Sequence, residues 1–65
     1  MTLADVLHHV QGISDMRYDD DESAHFSEDQ LRRDVLAYYA AGGTDPALAV
    51  EALKTDRIEF QRWCA

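Results

Sequence analysis

Apolar side chains recur at helical spacing in the first ten residues. They fall at positions i, i+3, i+4 and i+7, which places one apolar stripe on a helix: Leu3, Val6, Leu7 and Val10. Thr2 can cap the first turn, with Asp5 at the third helical position, and Gly12 is a typical stop signal. The pattern predicts helix 1 over residues 3–11.

The clearest helix start in the sequence is Ser27-Glu28-Asp29-Gln30, which has the pattern of a capping box. Its two acids would lie near the positive end of the helix dipole. Leu31, Val35, Tyr38 and Tyr39 then follow on one face, and Gly42-Gly43 ends the pattern. The sequence therefore predicts helix 2 over residues 28–41.

Two shorter helices are predicted after the glycines. Asp45-Pro46 combines a capping side chain with a proline at the first helical position, where the missing N–H costs nothing, and predicts helix 3 over residues 46–54. Thr55-Asp56 interrupts the pattern and can cap again, so we predict helix 4 over residues 57–64. A strand over 57–63 is the alternative, but a lone strand leaves its backbone groups unpaired. The expected fold is all-α, a single-domain bundle of about four short helices.

The expected core is small because the chain has only 65 residues. It comprises the apolar faces of the four predicted helices: Leu3, Val6, Leu7, Val10, Leu31, Val35, Tyr39, Leu48, Ala52, Leu53, Phe60 and Trp63. Cys64 is the only cysteine, so no internal disulfide can support this core. Support must come from helix packing, from self-association or from a partner.

Residues 15–26 lack an apolar period and contain four adjacent acids, Asp19-Asp20-Asp21-Glu22. Neighbouring carboxylates repel one another and aspartate is a poor helix former, so this segment is interpreted as a solvated acidic loop. Tyr18 and Phe26 flank the acids and are expected to pin the ends of the loop to the core.

The net charge of −7 lies entirely in the first half of the chain. Residues 1–30 carry eight acids and one base, whereas residues 31–65 carry five of each. Carboxylates held on a fold can present to a basic groove the same pattern of negative charge that phosphates present. They can also steer the approach of the basic partner. The favoured hypothesis is a non-enzymatic protein-binding module that docks on a basic, nucleic-acid-handling protein, as a small phage-type inhibitor or regulator would. Its expected binding residues are Asp15, Asp19, Asp20, Asp21, Glu22, Glu28, Asp29 and Tyr18.

A second hypothesis comes from residues 36–63. An alanine-rich helix ends at Gly42-Gly43, a short helix carries Ala49 and Leu53, a turn follows at Lys54-Thr55-Asp56, and the last segment holds Phe60 and Trp63. This order resembles the helix-turn-helix of small terminase subunits and transposases. The resemblance implies that the last helix enters the DNA major groove. The DNA-binding residues would then be Lys54, Arg57, Gln61 and Arg62, with Glu59 on the same face.

No catalytic, metal or cofactor site is predicted. Adjacent histidines on a helix point about 100° apart, so His8 and His9 are poorly placed for one ion, and we expect them to face solvent with His9 pairing to Asp5. The acidic run lacks the sixth-position glycine and twelfth-position glutamate of an EF-hand loop. The serines lie in no nucleophile-elbow pattern, and Cys64 is next to the last residue.

We expect a complete, small cytoplasmic protein that does not enter a membrane. No stretch approaches the roughly 18 apolar residues of a membrane span, and the first ten residues lack the pattern of a signal peptide. A single cysteine fits a reducing compartment.

A third functional hypothesis is a homo-oligomeric structural protein. It would appear as a dimer in solution, with Tyr38 or Leu36 at the contact.

Overall fold

The computed structural model describes residues 1–60. In this range it has three α-helices: α1 at Leu3–Met16, α2 at Asp21–Ala40 and α3 at Pro46–Leu53. A 3-10 turn at Lys54–Arg57 follows α3 directly. Helix α1 packs against both other helices and against the 3-10 turn. The all-α class is therefore confirmed. Residues 1–60 form three α-helices, whereas the sequence predicted a bundle of about four.

Helix α1 begins where the sequence predicts and extends further. The Thr2 Oγ accepts a hydrogen bond from the Asp5 N–H (3.2 Å) and the Asp5 carboxylate accepts one from the Thr2 N–H (2.9 Å), which completes a capping box. The predicted end at residue 11 is wrong, because the helix continues through Gly12 to Met16. A glycine inside a helix costs about 1 kcal/mol. Burial of an isoleucine contributes about 1.5–3 kcal/mol, and Ile13 is fully buried, so continuation is favoured.

Helix α2 begins at Asp21 and not at residue 28, so the predicted acidic loop is wrong. Asp20 is the N-cap, and its side chain accepts a hydrogen bond from the Ser23 N–H. The earlier start brings Ala24 onto the same inward face as Leu31 and Val35, and Ala24 is completely buried. The acids that disfavour a helix interior lie at the helix N-terminus, where the dipole stabilises them.

Helix α3 agrees with its prediction to within one residue, but the predicted helix 4 is wrong in its described part. Asp45 caps α3 by accepting a hydrogen bond from the Ala47 N–H (3.0 Å), and Pro46 occupies the first turn. The buried Thr55 hydroxyl donates to the Ala52 carbonyl (3.1 Å), a local bond that competes with a regular helix. The chain then becomes extended at Ile58, and residues 58–60 are not helical. The rest of the predicted helix 4 lies outside the described residues.

The connection between α2 and α3 is a Schellman turn. The Gly43 N–H donates to the Tyr38 carbonyl and the Gly42 N–H donates to the Tyr39 carbonyl, both at 3.0 Å. Gly42 has φ +100°, a conformation that side chains disfavour. The two tyrosine rings meet edge to face and both hydroxyls bond the backbone of Asp45. Local hydrogen bonds therefore fix the angle between these helices.

The buried faces of the helices differ in part from the predicted apolar faces. Five predicted core residues are buried, and three more pack against them partly exposed: Val6, Leu31, Val35, Leu48 and Ala52, then Val10, Tyr39 and Phe60. Leu3, Leu7 and Leu53 are exposed, so their assignment to the core was wrong. Ile13, Ala24 and Ile58 are buried instead. Trp63 lies outside the described residues.

Candidate acidic docking surface

Five of the predicted binding acids lie where α1 turns into α2. They occupy the last turn of α1, the connection and the first turn of α2, and we call them the acidic end: Asp15, Asp19, Asp20, Asp21 and Glu22. All are exposed except Asp21, which is half-buried. Asp29 lies further along α2, about 12 Å from Asp21 at the usual helical rise. The structure thus places most of the predicted acids around the connection between α1 and α2, and three of them at the start of α2: Asp20, Asp21 and Glu22.

Asp20 organises this helix start. Its carboxylate accepts hydrogen bonds from the Ser23 hydroxyl (2.6 Å) and from the Ser23 N–H (3.0 Å). These two bonds, the hydroxyl bond first, lower the pKa of Asp20 below its ordinary value because they stabilise the charged form. The carboxylate therefore stays charged under any physiological condition while it holds the first turn of α2.

Both aromatic residues that flank the acids are exposed, so the prediction that they pin this segment to the core is wrong. Tyr18 is 76% exposed and Phe26 is 72% exposed. The Arg17 guanidinium lies over the Tyr18 ring, 4.4 Å from its centroid, and donates to the Tyr18 hydroxyl. Arg17 makes no ion pair with an acid of residues 1–60, so the only base of the first half leaves the acidic end uncompensated.

Phe26 lies between two acids on the outer face of α2. Glu22 precedes it by four residues and Asp29 follows it by three, so the three side chains share one exposed helical face. Residue 26 was predicted to lie in a loop, so Phe26 was not among the predicted binding residues. The helical spacing of residues 22, 26 and 29 could have indicated that the three side chains share one face. This spacing matters only if α2 begins at Asp21.

Glu28 is not part of this surface, which corrects its prediction as a binding residue. It is only 3% exposed and lies on the inward face of α2 with Ala24 and Leu31. Its carboxylate lies 3.8 Å from the Arg32 guanidinium, one turn later. A buried carboxylate needs such partners, since burial of an unpaired charge is costly. Its role is therefore in packing α2.

The histidines do not form a metal site within residues 1–60. His8 is exposed as predicted, but His9 is half-buried, and its Nε2 lies 2.9 Å from the Ser27 hydroxyl of α2. Ser27, the predicted cap of helix 2, therefore joins α2 to α1. The His25 Nε2 lies 3.5 Å from Asp29 Oδ2 along α2.

The residues of the DNA-binding hypothesis are only partly described. Lys54 and Arg57 are exposed in the 3-10 turn that follows α3, and the Lys54 ammonium is 2.9 Å from the Glu51 carboxylate. Glu59 is exposed in the irregular segment after that turn. Gln61 and Arg62 lie outside the described residues.

Comparison of the chain with protein-family models, with curated proteins and with solved structures produced no match. Among residues 1–60, no helix combines the length and the apolar character needed to cross a membrane.

Proposed function

We propose that this chain is a non-enzymatic protein-binding module that inhibits or regulates a basic, nucleic-acid-handling protein. The acidic end and the outer face of α2 form the docking surface. The observation that carries the proposal is the exposure of Phe26 between Glu22 and Asp29 on one helical face. An aromatic ring framed by carboxylates suits a basic surface with an apolar recess.

The two kinds of side chain have different roles in this proposal. Carboxylates at the rim of an interface raise the association rate and exclude partners of like charge. An aromatic ring that becomes fully buried supplies a large share of the binding free energy. Phe26 therefore acts as the anchor, while Asp19 and Glu22 steer the approach.

The fixed start of α2 supports tight binding. A disordered acidic loop would lose conformational entropy on binding, whereas Asp21 and Glu22 already lie in the first turn of a helix that Asp20 caps. Carboxylates spaced along a helix also present a rigid row of negative charge, as the phosphates of a nucleic-acid backbone do. This similarity is the reason for proposing a partner that handles nucleic acid.

The proposal is tested by identifying a partner and then weakening its contact. Tagged protein is crosslinked in nuclease-treated host lysate, the captured protein is purified, and its Kd for the chain is measured. We expect Phe26→Ser to raise Kd by about 30-fold, the effect of losing an anchor of roughly 2 kcal/mol. Asp19→Asn with Glu22→Gln should reduce the association rate and the salt dependence of binding. Asp20 is left intact because it caps α2.

Matched variants distinguish this surface from a general loss of charge or apolar area. Asp56→Asn with Glu59→Gln removes two exposed acids from the other half of the chain, and Leu7→Ser removes an exposed apolar side chain from α1. Both should leave Kd within about twofold, as expected for positions outside the contact.

The DNA-binding hypothesis predicts the opposite results. If Asp19→Lys with Asp21→Lys creates or strengthens DNA binding, and Lys54→Ala or Arg57→Ala removes it, the acidic surface is not the binding site. Equal loss of partner binding in the matched variants would contradict the proposal as well.

A further inference from the structure

An apolar groove lies between the second half of α2 and α3, away from the acidic end. Its volume is about 350 Å³. Leu36 and Tyr39 line it from α2, and Ala49 and Leu53 line it from α3. A second recess of about 250 Å³ adjoins the groove at Leu53. We call the groove and this recess together the α2–α3 face.

The large apolar side chains of this face remain in water. Leu36, Val50 and Leu53 are 69%, 61% and 60% exposed. Neighbouring apolar side chains that stay exposed on a small protein mark a surface that binds another molecule. Small-molecule sites bury most of their ligand, and this face is too shallow to do so. The face therefore suits a segment of another protein.

The charged side chains that line the face are all basic. They are Arg32 in the groove and Lys54 and Arg57 in the adjoining recess. Within residues 1–60, no acidic side chain lines either recess. Two of the cations are already compensated inside the chain, since Arg32 pairs with Glu28 and Asp56, and Lys54 pairs with Glu51.

Arg57 is the cation of this face that has no acidic partner. It is exposed in the 3-10 turn and makes no ion pair with an acid of residues 1–60, including Glu59 two residues later. Arg57 therefore adds an uncompensated positive charge to a recess that Val50 and Leu53 make apolar. A carboxylate is its complement, because a guanidinium can donate two parallel hydrogen bonds to it.

The shape of the groove matches a helix. The groove lies between two helices, and its lining along α2 extends from Arg32 to Tyr39, a distance of about 10 Å. Two turns of a helix span the same length, and apolar side chains at positions i, i+3 and i+7 share one face of it. Amphipathic helices commonly bind in apolar grooves of this kind.

We propose that the α2–α3 face binds an acidic amphipathic helix of a partner protein. Apolar side chains of that helix fill the groove between Leu36 and Leu53, and one of its carboxylates pairs with Arg57. A basic helix would be repelled by Arg57 and attracted to the acidic end instead. Glu22 lies 14 residues before Leu36, about 21 Å along α2, so the acidic end is more than two Debye lengths of roughly 8 Å away.

This proposal does not rest on the proposed function. It gives the chain a second binding surface whose charge preference is opposite to that of the acidic end.

Designed peptides test the proposal on the full chain. The first peptide, of about 16 residues, carries leucine at i, i+3 and i+7 and glutamate on both sides of this stripe. The second has lysine in place of every glutamate. The glutamate peptide should bind with a Kd of roughly 100 µM, because a small contact is weak. Amide chemical shifts of the isotope-labelled chain should change at residues 36, 50 and 53 with the glutamate peptide and not with the lysine peptide.

Substitutions of lining residues locate the contact. Leu53→Gln should raise the Kd of the glutamate peptide about tenfold, and Arg57→Gln should raise it about fivefold. Arg57→Glu should reverse the preference, so that the lysine peptide binds the face. Both side chains are exposed, so the far-ultraviolet circular dichroism should not change.

Arg33→Gln and Leu7→Gln are the matched controls. Arg33 is an exposed arginine of α2 that makes no ion pair with an acid of residues 1–60, and Leu7 is an exposed leucine of α1. Neither lines the face. Both should leave the Kd within about twofold, as should Phe26→Ser, because all three positions lie outside the contact.

Five results would overturn the proposal. They are unchanged shifts at residues 36, 50 and 53 at about 1 mM glutamate peptide, equal binding of the lysine peptide at this face, equal weakening by Arg33→Gln, and an unchanged Kd in Arg57→Glu. The fifth is a sedimentation mass of twice 7.4 kDa without peptide that Leu53→Gln abolishes, because a second copy would then cover the face. None of these results bears on the proposed function, because that proposal depends on Phe26 and the acidic end.

Discussion

The two connections between the helices are built from different chemistry. The connection from α1 to α2 is exposed, and it relies on the Asp20 carboxylate bonded to Ser23. The connection from α2 to α3 is held by the Tyr38 and Tyr39 hydroxyls and by a glycine that lies against the Tyr38 ring. The first connection depends on one charged cap, whereas the second depends on close packing and on several hydrogen bonds.

This contrast explains why the docking surface is proposed at the first connection. Asp19 and Glu22 are exposed there, so we expect that their replacement leaves the fold intact and that they are available for contact with a partner. The second connection instead fixes the angle between α2 and α3. Four changes would break or sharpen the comparison, and they follow from the largest expected effect to the smallest.

Gly43→Ala should destabilise the protein the most. A Cβ at this position would lie 2.4 Å from the Tyr38 ring, whose hydroxyl accepts a hydrogen bond from the Asp45 N–H. The ring must move and weaken that bond, so we expect a loss of about 1–3 kcal/mol in the free energy of unfolding, measured by urea denaturation.

Gly12→Ala is the control for this change and should have the opposite sign. Gly12 lies inside α1, and an added Cβ meets no atom within 4 Å. Alanine favours a helix interior over glycine, so stability should rise by about 0.5–1 kcal/mol. Destabilisation by both substitutions would show that close packing at Gly43 is not the cause.

Tyr39→Phe should cost about 1–2 kcal/mol, because it removes two hydrogen bonds of the second connection. The Tyr39 hydroxyl donates to the Asp45 carbonyl (2.6 Å) and accepts from the Ala49 N–H (3.2 Å). The thermal midpoint should fall by several degrees. An unchanged midpoint would mean that water replaces the hydroxyl without loss.

Asp20 should make stability depend on pH through the first connection. Its pKa is lowered in the folded chain, so its contribution is complete above its ordinary value of 3.8 and is lost as pH falls through the lower folded value. Asp20→Asn keeps a capping side chain but cannot titrate. The thermal midpoint of the wild type should therefore fall more than that of Asp20→Asn in strong acid.

The same lowered pKa at Asp5, caused by the Thr2 N–H and then by the Thr2 hydroxyl, acts in the same direction at the start of α1. Because Asp5 is present in both proteins, its effect cancels in the comparison. Equal acid sensitivity of the wild type and Asp20→Asn would show that Asp20 does not cause the loss of stability in acid.

Tyr18→Ser should have the smallest effect, within about 0.5 kcal/mol of the wild type. The ring is largely exposed and contacts Arg17, a neighbour in the sequence. Urea denaturation checks this expectation. A loss as large as that for Tyr39→Phe would show that the first connection is packed like the second.

Local chemistry made the helix starts at Thr2 and Pro46 predictable from the sequence. A capping threonine and an aspartate before proline form their hydrogen bonds within one turn, whatever the rest of the chain does. The start of α2 was not decidable in this way, because Asp20 and Ser27 are both good caps. Burial of Ala24 against the core, a tertiary effect, favours the earlier start.

The face that each helix buries was equally difficult to predict. The first ten residues do not distinguish a stripe centred on Leu3 and Leu7 from one centred on Val6 and Val10, since both fit helical spacing. Ile13, which continues the second stripe, lies beyond the predicted end of helix 1. The acids of the candidate site could be named from charge alone. The exposure of Phe26 and the burial of Glu28 were not predicted, because both depend on where α2 begins and which face it buries.

The Schellman turn and its tyrosines also have a consequence for how the chain folds. The hydrogen bonds that join α2 to α3 link residues six, seven and ten positions apart, so they form with little loss of chain entropy. Contacts between α1 and α3 require a much longer segment to close. We therefore expect the α2–α3 hairpin to form in the transition state, so that Tyr39→Phe slows folding more than it speeds unfolding in stopped-flow measurements.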